Sequence, residues 1–340
     1  MQKYASQFLS SQKLSCSITQ YALQGQPFFC ILNFDQTEGY FLSTPHLQSQ
    51  ELLFSFPLSC NYRSLPEPTF TLKSLNPRLP PYEEYLRQFN LVQKALRQGD
   101  TFLLNLSVSS PLNPLASLLQ IFQLVESKYK VYLVDRFVSF SPETFIQIDA
   151  QGKISTYPMK GTIDASIPNA KTLLLQDEKE IAEHHTIVDL MRNDLSQVAS
   201  KVRVEKFRYL ESIFTQKGGI YQTSSHISGQ LPENYLSYLG EIILKLLPAG
   251  SVSGAPKSST LRIIRDVETH DRGYYTGVAI YFDGRQLDSC VLIRFIEKYQ
   301  DQLVYKSGGG ITLFSQAKQE YQEILDKIYL PVSIKKQQCS

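Results

Sequence analysis

The sequence predicts an α+β fold in which antiparallel sheets are covered by helices, and three observations predict it. Short runs of alternating apolar and polar residues, bounded by turn residues, are typical of strands joined by hairpins. Long helices are predicted between these runs, and residues 82–98 carry apolar side chains at helical spacing. No GxGxxG motif follows a predicted strand, which disfavours a doubly wound parallel sheet that binds a dinucleotide.

The first half of the chain predicts strands with two helices among them. The segment PFFCILNFDQTEGYFLSTP is typical of two strands joined by an Asp/Gly turn, and the proline-rich LPEPTFTLKSLNPRLPPYEEY predicts a connector. Residues 82–98 predict a helix that begins after a proline and ends at Gly99. A strand in TFLLNLSVSS and a helix in PLASLLQIFQLVES follow. Strands then run through VYLVDRFVSFSPETFIQIDAQGKISTYPMKGT, where Lys160 ends the predicted extended segment at a Gly-Thr turn.

The second half predicts helices on either side of a hairpin. One long helix is expected over residues 169–194, and another in SQAKQEYQEILDKIYL. Between them, the Asp283-Gly284 pair in YYTGVAIYFDGRQLDSCVLIRFIEK is a strong hairpin signal.

Composition limits the class of protein. With 340 residues, 42% of them hydrophobic, the chain suffices for one large domain or two small ones. A net charge of +2 gives no indication of nucleic acid or an anionic membrane as partner. The five unpatterned cysteines favour free thiols in a reducing compartment over a zinc site. No signal peptide or run of about 20 apolar residues is found, so we expect a soluble, cytoplasmic protein.

Two predicted helices each carry a pair of glutamates three residues apart. Glu180 and Glu183 lie on the first, and Glu320 and Glu323 lie on the second, with Lys327 on the same stripe. Four carboxylates from two helices would suit a hydrated Mg²⁺ that also holds a substrate oxygen. The alternative is two solvated helix faces.

Glycine-rich segments and one arginine suggest an anion site. Gly308, Gly309 and Gly310 end a predicted strand, and they form either a flexible turn or a surface whose N–H groups can approach an anion. The small-residue loop in LPAGSVSGAPK, before a helix at Pro256, has the same potential. Arg294 interrupts an apolar strand, so we expect it to reach either an internal carboxylate or that of a ligand.

An ordered set of segments resembles the chorismate-utilising enzymes, which include anthranilate, aminodeoxychorismate, isochorismate and salicylate synthases. The segments are EKEIAEHHTIVDLMRNDL, AGSVSGAPKSSTLRIIRDVE, GVAIYFDG, LIRF, SGGGI and EYQEILDK. The resemblance covers about residues 81–330 and implies a sandwich of antiparallel sheets with helices outside. It also implies a catalytic domain over residues 81–334 and a short N-terminal lobe, residues 1–80, that is integral to the sandwich.

The resemblance implies a site that binds chorismate and one Mg²⁺ in a central cleft. Glu183 and Glu323 match the principal metal ligands, with Glu180 and Glu320 supporting them, and the metal would hold the ring carboxylate. Arg294 and Tyr281 match the residues that hold the pyruvyl carboxylate, although the pattern around Tyr281 alone favours a core position. The remaining substrate-binding positions are Gly161, Thr162, Gly308, Gly309, Gly310 and Lys327.

Lys160 indicates which reaction the resemblance implies. The position before Gly161 is usually small in anthranilate and isochorismate synthases, whereas aminodeoxychorismate synthases carry a lysine in a motif like PMKGT. Such a lysine attacks ring carbon 2 as the carbon 4 hydroxyl leaves, and ammonia then enters at carbon 4. The attack requires a neutral amine, so we expect burial or positive charge to lower the pKa of Lys160. Glu143 matches the general acid that protonates the departing hydroxyl.

The resemblance therefore implies component I of an aminodeoxychorismate synthase, which serves 4-aminobenzoate and folate biosynthesis. No Cys-His-Glu glutaminase segment is found, so ammonia is expected from a separate glutamine amidotransferase subunit. Leu103 replaces the basic lysine of the water-adding members, which disfavours hydration. Gln222 aligns with a histidine of the anthranilate synthases, and the arginine common after Gly-Thr is absent.

Two alternatives remain. One is anthranilate synthase component I, which would also eliminate pyruvate. The other is a catalytically silent chorismate-binding subunit, against which the retained Glu143, Lys160 and four glutamates argue.

Overall fold

The computed structural model describes residues 7–45, 51–63, 77–113, 116–215 and 218–330. Most of the predicted proline-rich connector, residues 65–76, lies outside the described residues, as does Cys339. The four cysteines within the described residues are free thiols.

Eighteen strands in the described residues form two sheets, and every pairing between them is antiparallel. The strands are β1 (Phe8–Ser10), β2 (Phe28–Leu32), β3 (Glu38–Leu42), β4 (Leu52–Phe56), β5 (Ser59–Cys60), β6 (Leu103–Leu112), β7 (Tyr129–Leu133), β8 (Phe137–Ser141), β9 (Thr144–Ile148), β10 (Lys153–Thr156), β11 (Met159–Asp164), β12 (Ser200–Thr215), β13 (Gly218–Gln230), β14 (Gly254–Ala255), β15 (Val278–Phe282), β16 (Leu287–Val291), β17 (Phe295–Tyr299) and β18 (Gln302–Ile311).

The first sheet has the strand order β1-β3-β2-β15-β16-β9-β10-β13-β11, with β12 on the other side of β13. The second sheet has the order β14-β6-β18-β17-β8-β7-β4-β5. Strands from before residue 80 lie in both sheets: β1 to β3 in the first, and β4 and β5 in the second.

Eight α-helices in the described residues cover the two sheets. They are α1 (Ser11–Leu23), α2 (Tyr82–Gln98), α3 (Leu118–Leu124), α4 (Ala170–Gln176), α5 (Glu178–Ser196), α6 (Leu239–Leu246), α7 (Lys257–Val267) and α8 (Ala317–Asp326). None of these described helices is both long enough and apolar enough to cross a membrane.

Alternating side chains on the strands build cores on both faces of each sheet. In β15, Tyr281 and Ala279 face a core shared with Phe54 and Phe137 of the second sheet, whereas Ile280 faces a core shared with α1, α5 and α6. Helices α2, α7 and α8 cover one part of the outer face of the second sheet, and α3 covers another. The predicted α+β sandwich with helices outside is confirmed.

Helix α2 occupies the predicted residues because its end signals are local. Gly99 adopts φ +79°, a left-handed conformation that closes the helix without a side-chain penalty. The predicted hairpin between β15 and β16 also forms, where Asp283 Oδ1 accepts from the backbone N–H groups of Arg285 and Gln286 at 2.7 Å each.

The prediction of one helix over residues 169–194 is wrong. The segment forms α4 and α5, which are separated at Asp177, where ψ is 110° and therefore not helical. Asp177 Oδ1 accepts a hydrogen bond from the backbone N–H of Glu180 at 2.9 Å. Its carboxylate therefore caps a new helix, which begins just before the first pair of glutamates.

Candidate active site

The candidate site lies where β11, at the edge of the first sheet, approaches β18 of the second. Helix α5 packs against β11, and α8 packs against β18. Lys179 links the two helices, because its Nζ lies 3.7 Å from Glu183 Oε1 and 4.0 Å from Glu320 Oε1. The two glutamate pairs predicted from sequence are thereby brought into one cluster.

Strand β11 continues past Lys160, so the prediction that the strand ends there at a Gly-Thr turn is wrong. Met159 pairs with Ser224 and Thr162 with Gln222, so Lys160 and Gly161 together oppose the single residue between those partners. Two residues opposite one are the mark of a β-bulge, which redirects a side chain. The bulge turns the Lys160 amine toward α5, where it donates to Glu183 Oε2 at 2.8 Å.

The bulge requires glycine at position 161. Gly161 has φ +82°, and a Cβ there would lie 2.9 Å from Glu180 Oε2 and 3.1 Å from Leu174 Cδ1. Thr162, predicted to bind substrate, lies exposed in the ladder opposite Gln222. Gln222 is buried, and its Nε2 donates to Met159 Sδ at 2.7 Å.

The expected lowering of the pKa of Lys160 is wrong. Burial by itself lowers the pKa, but the charge and hydrogen bond of Glu183, with Glu323 and Glu180 beyond it, outweigh burial and raise the pKa. Sequence indicated that the amine is sheltered but not that three carboxylates surround it.

The carboxylates themselves are shifted in different directions. Burial, with the neighbouring charge of Glu183, raises the pKa of Glu180. Burial also raises the pKa of Glu320, with Glu323 adding to the rise. Burial opposes ionisation of Glu323 too, but Lys327 at 2.6 Å outweighs it and leaves the pKa of Glu323 lowered. The negative charges of the glutamates therefore repel one another in this cluster, and the positive charges of nearby lysines partly offset this repulsion.

The carboxylate oxygens of the cluster are the type of ligand that suits Mg²⁺. Four carboxylates from α5 and α8 share the cluster, and hard oxygen ligands are what Mg²⁺ prefers. As the side chains stand, no group of three or more His, Cys, Asp or Glu in the described ranges is arranged to hold a metal ion. Instead, Glu183 forms an ion pair with Lys160, and Glu323 forms one with Lys327.

Glu143 lies between β8 and β9 and is held by a residue that sequence reasoning missed. Ser251, in the small-residue loop before α7, donates its Oγ hydrogen to Glu143 Oε1. Burial raises the pKa of Glu143, although Ser251 and the charges of Lys327 and Lys160 oppose the rise. The loop was singled out for its backbone N–H groups, whereas the structure shows a side-chain contact to the predicted acid.

The three glycines are part of β18 rather than a flexible turn. Gly308, Gly309 and Gly310 pair with Ser107, Leu106 and Asn105 of β6. A Cβ at Gly310 would lie 3.6 Å from Lys160 Nζ and 3.3 Å from Leu103 Cδ1, and one at Gly309 would lie 3.9 Å from Lys327 Nζ. Gly309 and Gly310 thus lie close to the amines of Lys327 and Lys160. Beside Gly308, the buried Asn105 Oδ1 has no hydrogen-bond partner in the described structure.

Arg294 does not interrupt a strand; it lies between β16 and β17, where the chain passes from the first sheet to the second. Its backbone is left-handed at φ +51°. Its Nη1 donates to the Lys327 carbonyl at 2.8 Å, and the guanidinium stacks 4.6 Å from the centre of the Tyr329 ring. Within the described residues no carboxylate pairs with it, which leaves the guanidinium beside Lys327 at the edge of the cluster.

The structure does not bring Tyr281 to the cluster. The residue is 8% exposed, and its ring centre lies 5.7 Å from that of Phe54, in the core between the sheets. A surface cavity between α2 and the β17–β18 hairpin contains none of the predicted site residues either.

Comparison with known proteins gives a consistent result over most of the chain. The family described as chorismate binding enzyme matches residues 22–332. An uncharacterised PabA-like protein of Pasteurella multocida is 48% identical over 318 residues, which cover 92% of this chain and 96% of that protein.

More distant relatives carry named activities. Anthranilate synthase component 1 of Haloarcula marismortui is 33% identical over 262 residues, covering 72% of this chain and 52% of its own length. Aminodeoxychorismate synthase component 1 of Klebsiella aerogenes is 32% identical over 276 residues, covering 76% of this chain and 59% of its own length. The menaquinone-specific isochorismate synthase of Escherichia coli shares the fold, with a TM-score of 0.67 at 17% identity over 93% of this chain and 80% of its own.

Proposed function

Because this chain belongs to the family of chorismate binding enzymes, we propose that it is the aminating component of an aminodeoxychorismate synthase. It would convert chorismate and ammonia to 4-amino-4-deoxychorismate, a precursor of 4-aminobenzoate. Ammonia would come from a separate glutamine amidotransferase subunit. The observation that carries the proposal is the position of Lys160, whose amine lies inside the acidic cluster and beside Gly310.

An amine and a carboxyl whose pKa is raised suit, at one site, an exchange of substituents on the chorismate ring. The Lys160 amine would form a bond to carbon 2, both ring double bonds would shift by one position, and the carbon 4–oxygen bond would break. Glu143, whose pKa burial raises, would give its proton to the departing hydroxyl, which leaves as water. Ammonia would then form its bond at carbon 4 while the bond from carbon 2 to Lys160 breaks.

The charges of the cluster suit a dianionic substrate that binds together with a cation. Glu183 and Glu323 would be the Mg²⁺ ligands, with Glu180 and Glu320 in support. When bound, Mg²⁺ would supply positive charge that holds the ring carboxylate and offsets the carboxylates that now raise the pKa of Lys160. Arg294 and Lys327 sit together at the edge of the cluster, where they would hold the other carboxylate.

Leu103 supports amination over addition of water. Its Cδ1 would touch a Cβ at Gly310, on the same strand surface that Lys160 faces, so an apolar group occupies a position next to the reacting amine. A leucine cannot remove a proton from water, so this position supplies no general base for hydration.

Anthranilate synthase component I is the second candidate, because a relative with that activity is as similar as the aminodeoxychorismate synthases are. Its reaction places nitrogen at carbon 2 and eliminates pyruvate. Lys160 would then be only a positive charge near the substrate.

The test is the reaction of the purified protein with chorismate, Mg²⁺ and ammonium, with products identified by mass spectrometry and fluorescence. Anthranilate is aromatic and fluorescent, whereas aminodeoxychorismate is neither. Without ammonia, the proposal predicts a dehydrated chorismate adduct on the peptide that contains Lys160. Lys160→Ala should form no adduct and lose most of the carbon 4 product, while Lys171→Ala, at an exposed position, should behave as wild type. A folded Lys160→Ala protein that makes the carbon 4 product at the wild-type rate would overturn the proposal.

A further inference from the structure

Beneath Lys160, three buried polar side chains connect α5 to the bulge in β11. His184, Thr223 and Ser225 are each 0% exposed. Thr223 Oγ1 donates to the carbonyl oxygen of Lys160. His184 Nδ1 lies 3.5 Å from Thr223 Oγ1, and His184 Nε2 lies 2.7 Å from Ser225 Oγ. Buried polar groups in such a row are costly unless each finds a partner.

We assign one direction to the hydrogens of this row, because Thr223 donates its hydrogen to Lys160 and must then accept from His184. Ser225 Oγ accepts from the backbone N–H of Arg208 at 2.9 Å, which leaves its own hydrogen for His184 Nε2. A neutral ring that accepts at Nε2 carries its hydrogen at Nδ1, where it is donated to Thr223 Oγ1. Thr223 in turn donates to Lys160. Every donor therefore has an acceptor, and the row ends on the backbone of the predicted nucleophile.

The bulge explains why this carbonyl needs such a partner. Regular pairing of β11 with β13 is interrupted between Met159 and Thr162, so the backbone at Lys160 lacks the regular ladder that fixes the rest of the strand. The side chain of Thr223, the residue opposite the bulge, supplies the replacement hydrogen bond.

Two consecutive residues of α5 thereby hold both ends of Lys160. Glu183 binds its amine at 2.8 Å, and His184 braces its carbonyl through Thr223. A shift of either contact moves the amine relative to Gly310, the surface that it faces.

We propose that His184 and Thr223 are positioning residues, which fix the bulge so that the Lys160 amine meets the chorismate ring. The inference rests on the proposed function, in which Lys160 is the nucleophile. Neither side chain is exposed to the cleft, so both act through the Lys160 backbone rather than on the substrate.

Matched substitutions test the hydrogen-bond row with little change in shape. Thr223→Val removes the donor and keeps the volume, whereas Thr223→Ser keeps the donor. His184→Phe removes both ring nitrogens, whereas His184→Asn keeps a donor at the Nδ1 position. His185, the next residue on α5, is exposed, and His185→Asn is the control.

For Thr223→Val and His184→Phe we expect kcat to fall about tenfold to a hundredfold with KM for chorismate unchanged, because the amine is misplaced while the substrate contacts remain. Thr223→Ser, His184→Asn and His185→Asn should stay near the wild-type kcat. A purely structural role would lower the folded fraction in all the buried variants without separating the conservative pairs.

A second readout needs no turnover. Mass spectrometry after brief treatment with an amine-acylating reagent measures how fast Lys160 is modified relative to Lys153, a strand lysine paired with Glu205 at 2.8 Å. We expect faster modification of Lys160 in Thr223→Val and His184→Phe, because the amine no longer stays on Glu183. If folded Thr223→Val keeps the wild-type kcat and modification rate while Lys160→Ala is inactive, the positioning inference fails alone. If Lys160→Ala is fully active, the proposed function is wrong, and the positioning inference that rests on it is wrong as well.

Discussion

Glu183 contacts two cations, Lys160 at 2.8 Å and Lys179 at 3.7 Å, and its side chain is 15% exposed. If it is also a Mg²⁺ ligand, its charge cannot be removed without loss of both the metal and the ordered lysine. We therefore expect Glu183→Gln to abolish chorismate turnover.

Asp189→Asn is the control for that substitution, because Asp189 lies on the same helix with its side chain 75% exposed. Turnover should be measured over a range of Mg²⁺ concentrations and again in excess EDTA. Full activity in EDTA would contradict the proposal that these glutamates bind a metal ion needed for turnover.

Ser251 lowers the pKa of Glu143, against the larger effect of burial, which raises it. Ser251→Ala should therefore move the pKa of Glu143 further upward. A general acid works in its protonated form, which is lost as pH rises through the pKa. We expect the alkaline limb of the pH profile of kcat/KM to shift to higher pH in this variant. Ser253→Ala, in the same loop but bonded to the Ala249 carbonyl, should leave the limb unmoved.

Single side chains could be predicted from sequence where the residue type carries the chemistry. Lys160 and the four glutamates were found in this way, and the structure brings them together. Ser251, His184 and Thr223 were not found, because serine, threonine and histidine occur throughout a sequence and their roles here depend on a partner distant in the chain. The direction of the pKa shift of Lys160 was missed for the same reason.

At the scale of elements, Gly161 and Gly99 allow a comparison of backbone strain with and without crowding. Both are left-handed, at φ +82° and φ +79°, but a Cβ at Gly99 would have no heavy atom within 4 Å. Gly99→Ala should cost only the backbone penalty, about 1–2 kcal/mol. Gly161→Ala should cost more, because the new Cβ also meets Glu180 and Leu174.

Urea unfolding measures both free energies of unfolding, and turnover separates the two positions further. Gly161→Ala should lose activity because the bulge that aims Lys160 is distorted, whereas Gly99→Ala should retain it. Equal stability and activity in the two variants would contradict the role given to the bulge.

Element boundaries could be predicted where the signals are local. Helix α2 agrees with its prediction because a proline and a left-handed glycine bound it. The break at Asp177 was missed because an aspartate inside a polar helical segment is as compatible with a helix as with a cap. The bulge in β11 was mistaken for a turn because glycine is used in both.

At the scale of the whole molecule, Arg272 ties together three parts of the chain. It binds Glu268 in a bidentate pair at 2.7 and 2.9 Å, and it donates to the carbonyls of Val252 and Asn105. Both side chains of the pair are 2% exposed. Arg272→Met leaves a buried carboxylate unpaired and should lower the free energy of unfolding by about 3–5 kcal/mol.

Arg265→Met is the matched control, since Arg265 pairs with Asp35 at the surface and should contribute about 0–1 kcal/mol. Burial opposes ionisation of Glu268, but Arg272 outweighs it and lowers the pKa of Glu268. The pair therefore contributes its full stability at pH values above the pKa of Glu268 in the unfolded chain. This contribution is lost as the pH falls through the lower pKa of Glu268 in the folded protein. Urea titrations from neutral to acid pH should show that loss in the wild type and not in Arg272→Met.

The class of fold could be predicted from hairpins and helices, but the strand order could not. Sheet order depends on pairings such as β2 with β15, which lie far apart in the sequence and carry no local signal. The chain also passes from one sheet to the other at Arg294, and the only sequence signal of this passage is a charged residue within an apolar segment.

The position of β2 has a consequence for biosynthesis. Its residues, FFCIL, are all buried and lie between β3 and β15. A ribosome delivers β2 and β3 long before it delivers β15, so one apolar edge of this hairpin stays open during most of translation. Open apolar edges recruit other strands, including those of neighbouring nascent chains. We therefore expect newly made chains to need a chaperone that shelters this edge until β15 arrives.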